Sequence, residues 1–318
     1  MRAVVVHRSG GPDELRLEDV ADPEPSAGEV RIAVIAAGTN PVDAGNRADG
    51  SWAQIEYPFV PGYDVAGVID AVGVGVTGVR VGDTVMAMTS FPRGAGGYAE
   101  SVVTSADLVA TLEPDIDMVA AAAVPLAAGT AFEVLERVAL DPGSTLLVLG
   151  GSGGVGQFLL QLARHKDLRP IAVGSRSSQE RMREDGAAAC IDYATEDVAQ
   201  QAIELAGGQI DAIADLVGGD LLTRFLPALR PRGAAASIAT PALDLDAVLD
   251  NNITFHGVLI GDDGTRTRSL ADLLTRGVVR PRVSHVSPLA EVAQAHRILE
   301  SGHAGGKVVL TVSGGRPG

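Results

Sequence analysis

The sequence predicts two folding units, an α/β unit built as a doubly wound parallel sheet and a smaller all-β, barrel-like unit. Three observations predict them. The first is the strand-length apolar run Thr145 to Leu149, which stops at Gly150 and continues through Gly151-Ser152-Gly153-Gly154-Val155-Gly156 into the helical pattern Gln157 to His165. The second is a change of period near Asp117, from short alternating strands to strands and helices in turn. The third is length, since 318 residues exceed one ordinary domain of roughly 150 residues.

From Met1 to Leu112 the chain alternates apolar and polar residues in short runs: Ala3 to His7, Val30 to Ala36, Ala66 to Val72, Asp83 to Met88 and Tyr98 to Val103. Turn clusters such as Asp22-Pro23-Glu24-Pro25 and Val81-Gly82-Asp83 separate them. Ala120 to Ala139 has the period of one helix. After the glycine turn come strands at Pro170 to Gly174, Ala188 to Asp192, Ile210 to Val217, Ala234 to Ala239 and Ile253 to Ile260. Helices are expected between them at Ser178 to Glu184, Glu196 to Ala206, Leu221 to Leu229 and Thr267 to Arg276. Beyond Pro281 the strand Arg282 to Val286, the helix Leu289 to Glu300 and the strand Lys307 to Val312 are too little for a domain, so the tail is expected to return to the first unit. The expected boundaries are 1–115 with 283–318 for the β unit and 116–282 for the α/β unit.

Composition narrows the function classes. A hydrophobic content of 46% supplies two cores, and a formal net charge of −15 disfavours nucleic acid and anionic lipid surfaces as partners. Met1 to Val6 runs straight into a strand pattern without a secretion signal, and the longest uncharged apolar stretch, Met118 to Phe132, is short of the roughly 18 residues that span a bilayer. A cytoplasmic location and no membrane association are expected. The one cysteine, Cys190, sits in an apolar strand pattern and is expected as a buried core thiol.

Gly151, Gly153 and Gly156 stand at the G-x-G-x-x-G spacing. Between a strand and a helix this spacing makes a tight turn, lets the backbone approach a pyrophosphate and lets helix and strand pack closely. The end of the next strand, about 20 residues on, faces the adenine ribose of a bound dinucleotide. There the sequence reads Gly174-Ser175-Arg176, with no carboxylate for a 2′-hydroxyl. Ser175, Arg176 and Arg181 instead suit the 2′-phosphate of NADPH, the alternative being a solvated loop arginine. A catalytic zinc needs about three Cys, His or acidic ligands. One cysteine and six scattered histidines do not supply them, and each histidine is expected at the surface or in packing.

The motifs together resemble, over essentially the full length, the zinc-free quinone oxidoreductase branch of the medium-chain dehydrogenase/reductases. The matching stretches are Gly38-Thr39-Asn40-Pro41-Val42-Asp43 followed by Arg47 and Gly50, Phe59-Val60-Pro61-Gly62-Tyr63-Asp64-Val65-Ala66-Gly67-Val68, Val81-Gly82-Asp83, Gly97-Tyr98-Ala99-Glu100, Gly129-Thr130-Ala131 and the glycine turn. Where zinc-dependent relatives carry a Cys and a Gly-His-Glu motif, this chain has Ala37 and Pro61-Gly62-Tyr63. The resemblance implies a GroES-like β-barrel catalytic domain beside a Rossmann domain, and an NADPH-dependent reductase of quinones or α,β-unsaturated carbonyls.

It also implies site residues. Asn40 would lie at the nicotinamide and the substrate carbonyl, although an Asn holding a turn before Pro41 is equally consistent with the residues. Trp52 stands where many members carry a Tyr, and with Asn40 and Tyr63 it completes the candidate catalytic set. Thr130 would contact the nicotinamide side; Gly151, Ser152, Gly153, Gly154, Val155 and Gly156 the pyrophosphate; and Tyr193 the 2′-phosphate together with Ser175, Arg176 and Arg181. Val217 and Ile238 would line the cofactor cleft. Lys307 would reach it from the tail, a surface lysine at a strand start being the alternative. Trp52, Tyr57, Phe59, Tyr63 and Phe91 are either acceptor-pocket lining or barrel core. Relatives pair through the last strand of the cofactor domain, so a homodimer through Ile253 to Ile260 is expected. The rival readings are an enoyl-thioester reductase on the same scaffold and a non-catalytic NADPH-binding sensor.

Overall fold

The computed structural model describes residues 1–92, 94–195 and 197–312, apart from the side chain of Trp52. The chain divides into two compact units, Met1–Gly129 with Gly261–Gly318, and Thr130–Ile260.

The first unit begins with β1 (Arg2–Val5), β2 (Arg16–Asp19) and the long β3 (Glu29–Gly38), then α1 (Pro41–Ala48), β4 (Asp64–Val72), β5 (Thr84–Met88), β6 (Ser101–Ser105), β7 (Val109–Thr111) and α2 (Met118–Ala122). β3 alternates buried and half-buried residues along Glu29 to Ile35, as a strand with one face on the core does. Val30, Ile32 and Val34 from β3 meet Val65 and Ile69 from β4 in the core, with Tyr57 and Phe59 packed against it. Those two aromatics therefore serve the barrel. α2 belongs here because β3 and α2 approach so closely that a Cβ at Gly38 would lie 2.2 Å from the Ala122 carbonyl oxygen.

The second unit begins inside α3 (Pro125–Val138), followed by β8 (Thr145–Leu149), α4 (Gly156–His165), β9 (Arg169–Gly174), α5 (Gln179–Glu184), β10 (Ala189–Asp192), α6 (Val198–Ala206), β11 (Ile210–Asp215), α7 (Leu221–Phe225), β12 (Leu229–Ser237), α8 (Leu245–Asp250) and β13 (Thr254–Gly257). The single helix expected over Ala120 to Ala139 is two, because Pro125 has no N–H to continue the first and its fixed φ suits the start of the next. The six strands form one sheet in the order β10-β9-β8-β11-β12-β13, and every pairing is parallel. This is the doubly wound sheet the sequence predicts. Its order reverses between β8 and β11, the point where such sheets bind ligands beyond their carboxyl ends. Cys190 lies on the edge strand β10 and is half-buried rather than a core thiol.

The chain then gives α9 (Gly264–Thr275), β14 (Val283–Pro288), α10 (Val292–Glu300) and β15 (Lys307–Thr311). β15 pairs antiparallel with β3 and parallel with β14, so the tail completes the first unit's sheet as expected. The return begins earlier than residue 283. α9 is already anchored there, with Arg268 Nη1 donating to the Asp107 carbonyl at 3.1 Å and Gly264 set where a Cβ would lie 1.7 Å from the same oxygen.

Candidate functional site

In the α/β unit the glycine turn differs from the expected one in a single respect. The residue in the left-handed region is Gly150, at φ +81°, whose N–H and that of Gly151 donate to the Val173 carbonyl at 3.0 and 3.1 Å. Gly151 instead serves close packing, since a Cβ there would come within 2.9 Å of Ala172 Cβ. At Gly156 the added carbon would lie 2.3 Å from Gly150 O and 2.6 Å from Gly151 O. Ser152, Gly153, Gly154 and Val155 stay partly or wholly exposed on the turn.

Beyond the carboxyl ends of β9 and β10 stand Ser175, Arg176 and Tyr193, with Arg181 on α5 half-buried. Ser175 Oγ lies 3.1 Å from Ser177 Oγ, and Tyr193 donates its N–H to Gly174 O at 3.3 Å. Tyr193 is 48% exposed, and Arg224, which sequence reasoning missed, donates to its carbonyl at 3.2 Å. Val217 and Ile238 follow β11 and β12. Their loops are organised by the buried Asp215, whose Oδ1 accepts from Val217 N–H at 3.0 Å and Gly218 N–H at 2.9 Å, and whose Oδ2 accepts from Ser237 Oγ at 2.8 Å. The helix start at Gly156 packs too closely on the turn's own carbonyl oxygens to admit a Cβ, and the donor set at the β9 end is cationic and hydroxylic. Both fit a dinucleotide carrying a 2′-phosphate.

In the β unit a buried polar cluster surrounds Asn40. Asn40 precedes α1, its N–H donating to Asp43 Oδ2 at 2.8 Å. Its side chain is 2% exposed and held from both sides, Lys307 Nζ donating to Oδ1 at 2.5 Å and Nδ2 donating to Asp64 Oδ2 at 2.9 Å. Because an ammonium only donates and a carboxylate only accepts, the amide has one orientation, with a second Nδ2–H that takes no hydrogen-bond partner among the described residues. Lys307, 3% exposed, also donates to Thr39 O at 2.9 Å. It is neither a surface lysine nor extended towards solvent; its chain end is spent on Asn40 and its neighbours. Asp64 in turn accepts from the first-turn N–H of Leu126 on α3 at 2.7 Å. Burial raises the Asp64 carboxyl and lowers the Lys307 ammonium, each opposed by the other's charge. Thr130 is buried on α3.

Tyr63 takes a different place from the catalytic one expected. It is fully buried, and its hydroxyl accepts from Asn46 Nδ2 at 2.7 Å and donates to Pro92 O at 2.6 Å. Burial, with Asp43 nearby, lifts the phenol further above its ordinary value of 10.0. Its ring packs edge-on against Phe91, 5.0 Å between centroids. Trp52 lies outside the described side chains. Among the described residues no group of three or more His, Cys, Asp or Glu side chains is arranged to hold a metal, and no helix is long and apolar enough to cross a membrane.

A parallel sheet with a glycine turn and a second, mostly antiparallel sheet completed by the tail are the two domains of the medium-chain dehydrogenase class. Residues 26–114 match the family described as the alcohol dehydrogenase GroES-like domain, and residues 186–310 the one described as zinc-binding dehydrogenase. The NADPH-dependent alkenal/one oxidoreductase of Arabidopsis thaliana chloroplasts is 34% identical over 98% of this chain and 79% of its own length. The structure of the quinone oxidoreductase from Coxiella burnetii is 30% identical with a TM-score of 0.89, covering 98% of this chain and 99% of that one. A native mycobacterial structure complexed with NADPH is 31% identical with a TM-score of 0.88, covering 98% and 99%. The chain belongs to the medium-chain dehydrogenase/reductase family, in its zinc-free quinone oxidoreductase branch.

Proposed function

We propose that this chain is an NADPH-dependent oxidoreductase that transfers a hydride to quinones or α,β-unsaturated carbonyls. The observation that carries the reading is Asn40, a buried amide fixed by Lys307 and Asp64 with one N–H unspent. The names of its relatives, an alkenal/one oxidoreductase and a quinone oxidoreductase, support the acceptor class. NADPH would be held by the turn Gly151 to Gly156 at its pyrophosphate and by Ser175, Arg176, Arg181 and Tyr193 at its 2′-phosphate, with Thr130, Val217 and Ile238 along it. The chemistry that NADPH supplies when bound is hydride donation from C4 of its nicotinamide. An acceptor reduced in this way carries a delocalised enolate or hydroquinone anion. Asn40 steadies the oxygen of that anion through its free Nδ2–H, a bond strengthened by burial and by the ammonium on the other end of the amide. Water completes the protonation.

The same reading includes a homodimer. β13 is one of the two edge strands of the six-stranded sheet, and Leu249 and Leu259 on either side of it in sequence are exposed, which supports pairing of two copies along that edge. The net charge of −15 argues against nucleic acid and membrane partners, and a cytoplasmic location agrees with both. The test is a steady-state screen of NADPH oxidation against quinones, enones, enoyl thioesters and saturated carbonyls. Turnover of the first two supports the reading, preference for thioesters replaces it, and tight NADPH binding without turnover of any acceptor overturns it.

A further inference from the structure

We propose that His296 and Tyr98 are positioning residues for this reaction, forming with Arg47 a one-way hydrogen-bond chain that ends on Asp43 and through it fixes Asn40. The inference rests on the role of Asn40 proposed above. The chain joins four parts of the β unit: α10 carries His296 and Glu300, α1 carries Asp43 and Arg47, Tyr98 lies in the segment before β6, and Asn40 precedes α1.

Its direction is set at Arg47, because a guanidinium has donors and no acceptor. Arg47 is buried, with Nε donating to Gly10 O at 3.0 Å and Nη2 to Glu300 Oε1 at 2.6 Å. Its Nη1 faces His296 Nδ1 at 3.1 Å, so Nδ1 must accept and the proton of the neutral ring sits on Nε2. Nε2 faces the Tyr98 hydroxyl at 3.3 Å and donates to it. The hydroxyl proton is thereby turned to Asp43 Oδ2, 3.1 Å away. Asp43 Oδ2 also accepts from Asn40 N–H at 2.8 Å, and Oδ1 accepts from Gly62 N–H at 3.2 Å. Every donor around Asp43 therefore points at it, an arrangement that suits a carboxylate and leaves a protonated Asp43 without an acceptor for its proton. The groups facing His296 are Arg47, Glu300 and Tyr98; those facing Asp43 are Tyr98, Tyr63, Asp64 and Lys307.

Asp43 is also the residue at the third position of α1 that holds the backbone of Asn40. A carboxylate there keeps the Asn40 N–H engaged and the residue set between Lys307 and Asp64. Protonation, or loss of the Tyr98 donor, weakens that hold and loosens the amide that meets the acceptor. Among the described residues no hydrogen bond joins His296 or Tyr98 to Asn40, Lys307 or Asp64, so they act at one remove.

The test uses the full-length protein with NADPH and 1,4-naphthoquinone, and the variants Tyr98→Phe and His296→Asn. Asparagine keeps an acceptor for Arg47 and withdraws the donor from Tyr98. Each variant is expected to lower kcat by roughly threefold to tenfold, the size of one hydrogen bond, with the KM for NADPH within about twofold of wild type. The double variant is expected to lose no more than either single one, since both break the same chain. The acid limb of the kcat profile is expected to move to higher pH in Tyr98→Phe, because an O–H donor favours the carboxylate form of Asp43. Losses that multiply in the double variant, or an unmoved acid limb, would overturn the proposal. A second readout needs no turnover: the 13C carboxyl titration of Asp43 should move to higher pH in either variant, and an unchanged titration refutes the chain. An inactive wild type with that shift present would remove the proposed activity alone.

Discussion

Lys307 donates to Asn40 Oδ1 across 2.5 Å although 267 residues of chain separate the two. The contact exists because β15 returns to pair with β3, setting Thr39 N–H against the Val308 carbonyl at 2.9 Å and the neighbouring Lys307 beneath Asn40. Its ammonium stands 3.6 Å from Asp64 Oδ2, with both groups buried. Lys307→Met removes one charge of that pair and leaves the other uncompensated, which is expected to lower the stability of the protein by about 3–5 kcal/mol. Lys307→Met with Asp64→Asn leaves no lone charge and should recover a large part of the loss. Urea unfolding of the three proteins checks this, and a double variant no more stable than Lys307→Met would remove the pairing argument.

Two buried groups on the Tyr98 chain give stability opposite dependences on pH. Burial lifts the Asp43 carboxyl from its ordinary 3.8 to about 7. A raised value favours folding below the unfolded one and loses that contribution as pH rises through about 7. Burial, with Arg47 beside it, holds His296 down to about 4 from 6.5, so its contribution is present above 6.5 and lost as pH falls towards 4. Between about pH 4.5 and 6.5 the two oppose one another. His296→Asn is therefore expected to become less stable relative to wild type as pH rises across that window, by about 2 kcal/mol. Unfolding free energies of both proteins at the two ends of the window measure it, and parallel pH dependences would contradict it.

At the glycine turn the geometry leaves no room for a methyl group. Gly156→Ala places a carbon 2.3 Å from one backbone oxygen and 2.6 Å from another. Neither is the end of a flexible side chain, so the turn and the start of α4 must shift. Loss of NADPH binding by at least tenfold is expected, read by fluorescence titration, with a lower melting temperature. Wild-type affinity in Gly156→Ala would mean that the turn does not hold the pyrophosphate.

Arg176 beyond β9 and Arg181 on α5 are the groups proposed to carry the choice of cofactor. A charge-assisted hydrogen bond contributes roughly 1.5–3 kcal/mol, so Arg176→Ala should raise the KM for NADPH about tenfold to a hundredfold and leave that for NADH nearly unchanged. Arg224→Ala acts through the Tyr193 carbonyl it holds. A smaller rise, again confined to NADPH, is expected from it. Equal effects on both cofactors would dissociate these residues from the 2′-phosphate.

The α/β unit was legible because its signals are local. Strand, glycines and helix follow one another within Thr145 to His165, and a purely parallel sheet follows from the alternation after it. The β unit hid more. Asp43 was visible as part of Asn-x-x-Asp, and that spacing puts its carboxylate back on the Asn40 N–H. Asp64 and Tyr98 stood in the motif stretches without a role, because their partners come from other elements. His296 read as a surface or packing histidine; its contacts to Arg47 and Tyr98 span 249 and 198 residues, beyond any period or spacing. The missed unit boundary at α9 has the same origin, a close approach of Gly264 to Asp107 that no local pattern announces.

The chemistry itself gives the last prediction. Saturated aldehydes and ketones concentrate the charge of an arriving hydride on one alkoxide oxygen, and their reduction calls for a Lewis acid or a matched proton donor. What surrounds Asn40 is of another kind: one amide N–H beyond those already spent, on a side chain 2% exposed, with Tyr63 committed to Asn46 and Pro92. A single oriented N–H suffices for an acceptor that spreads its charge, as an enolate or a hydroquinone anion does, because less stabilisation has to be supplied at any one atom. NADPH oxidation is therefore expected with a quinone or an enone and little or none with the corresponding saturated carbonyl. Asn40→Ala should lower kcat/KM for the conjugated acceptor by about tenfold to a hundredfold, the range for one buried donor to a developing anion. NADPH affinity should hold within a few-fold, since the residues proposed to hold its pyrophosphate and 2′-phosphate are others. Asn40→Asp tests the sign of the interaction: it puts an acceptor where the donor was and should be slower than Asn40→Ala. If wild type reduces saturated and conjugated carbonyls equally well, the proton donor is a group other than Asn40, and the mechanism has to be built around that group instead.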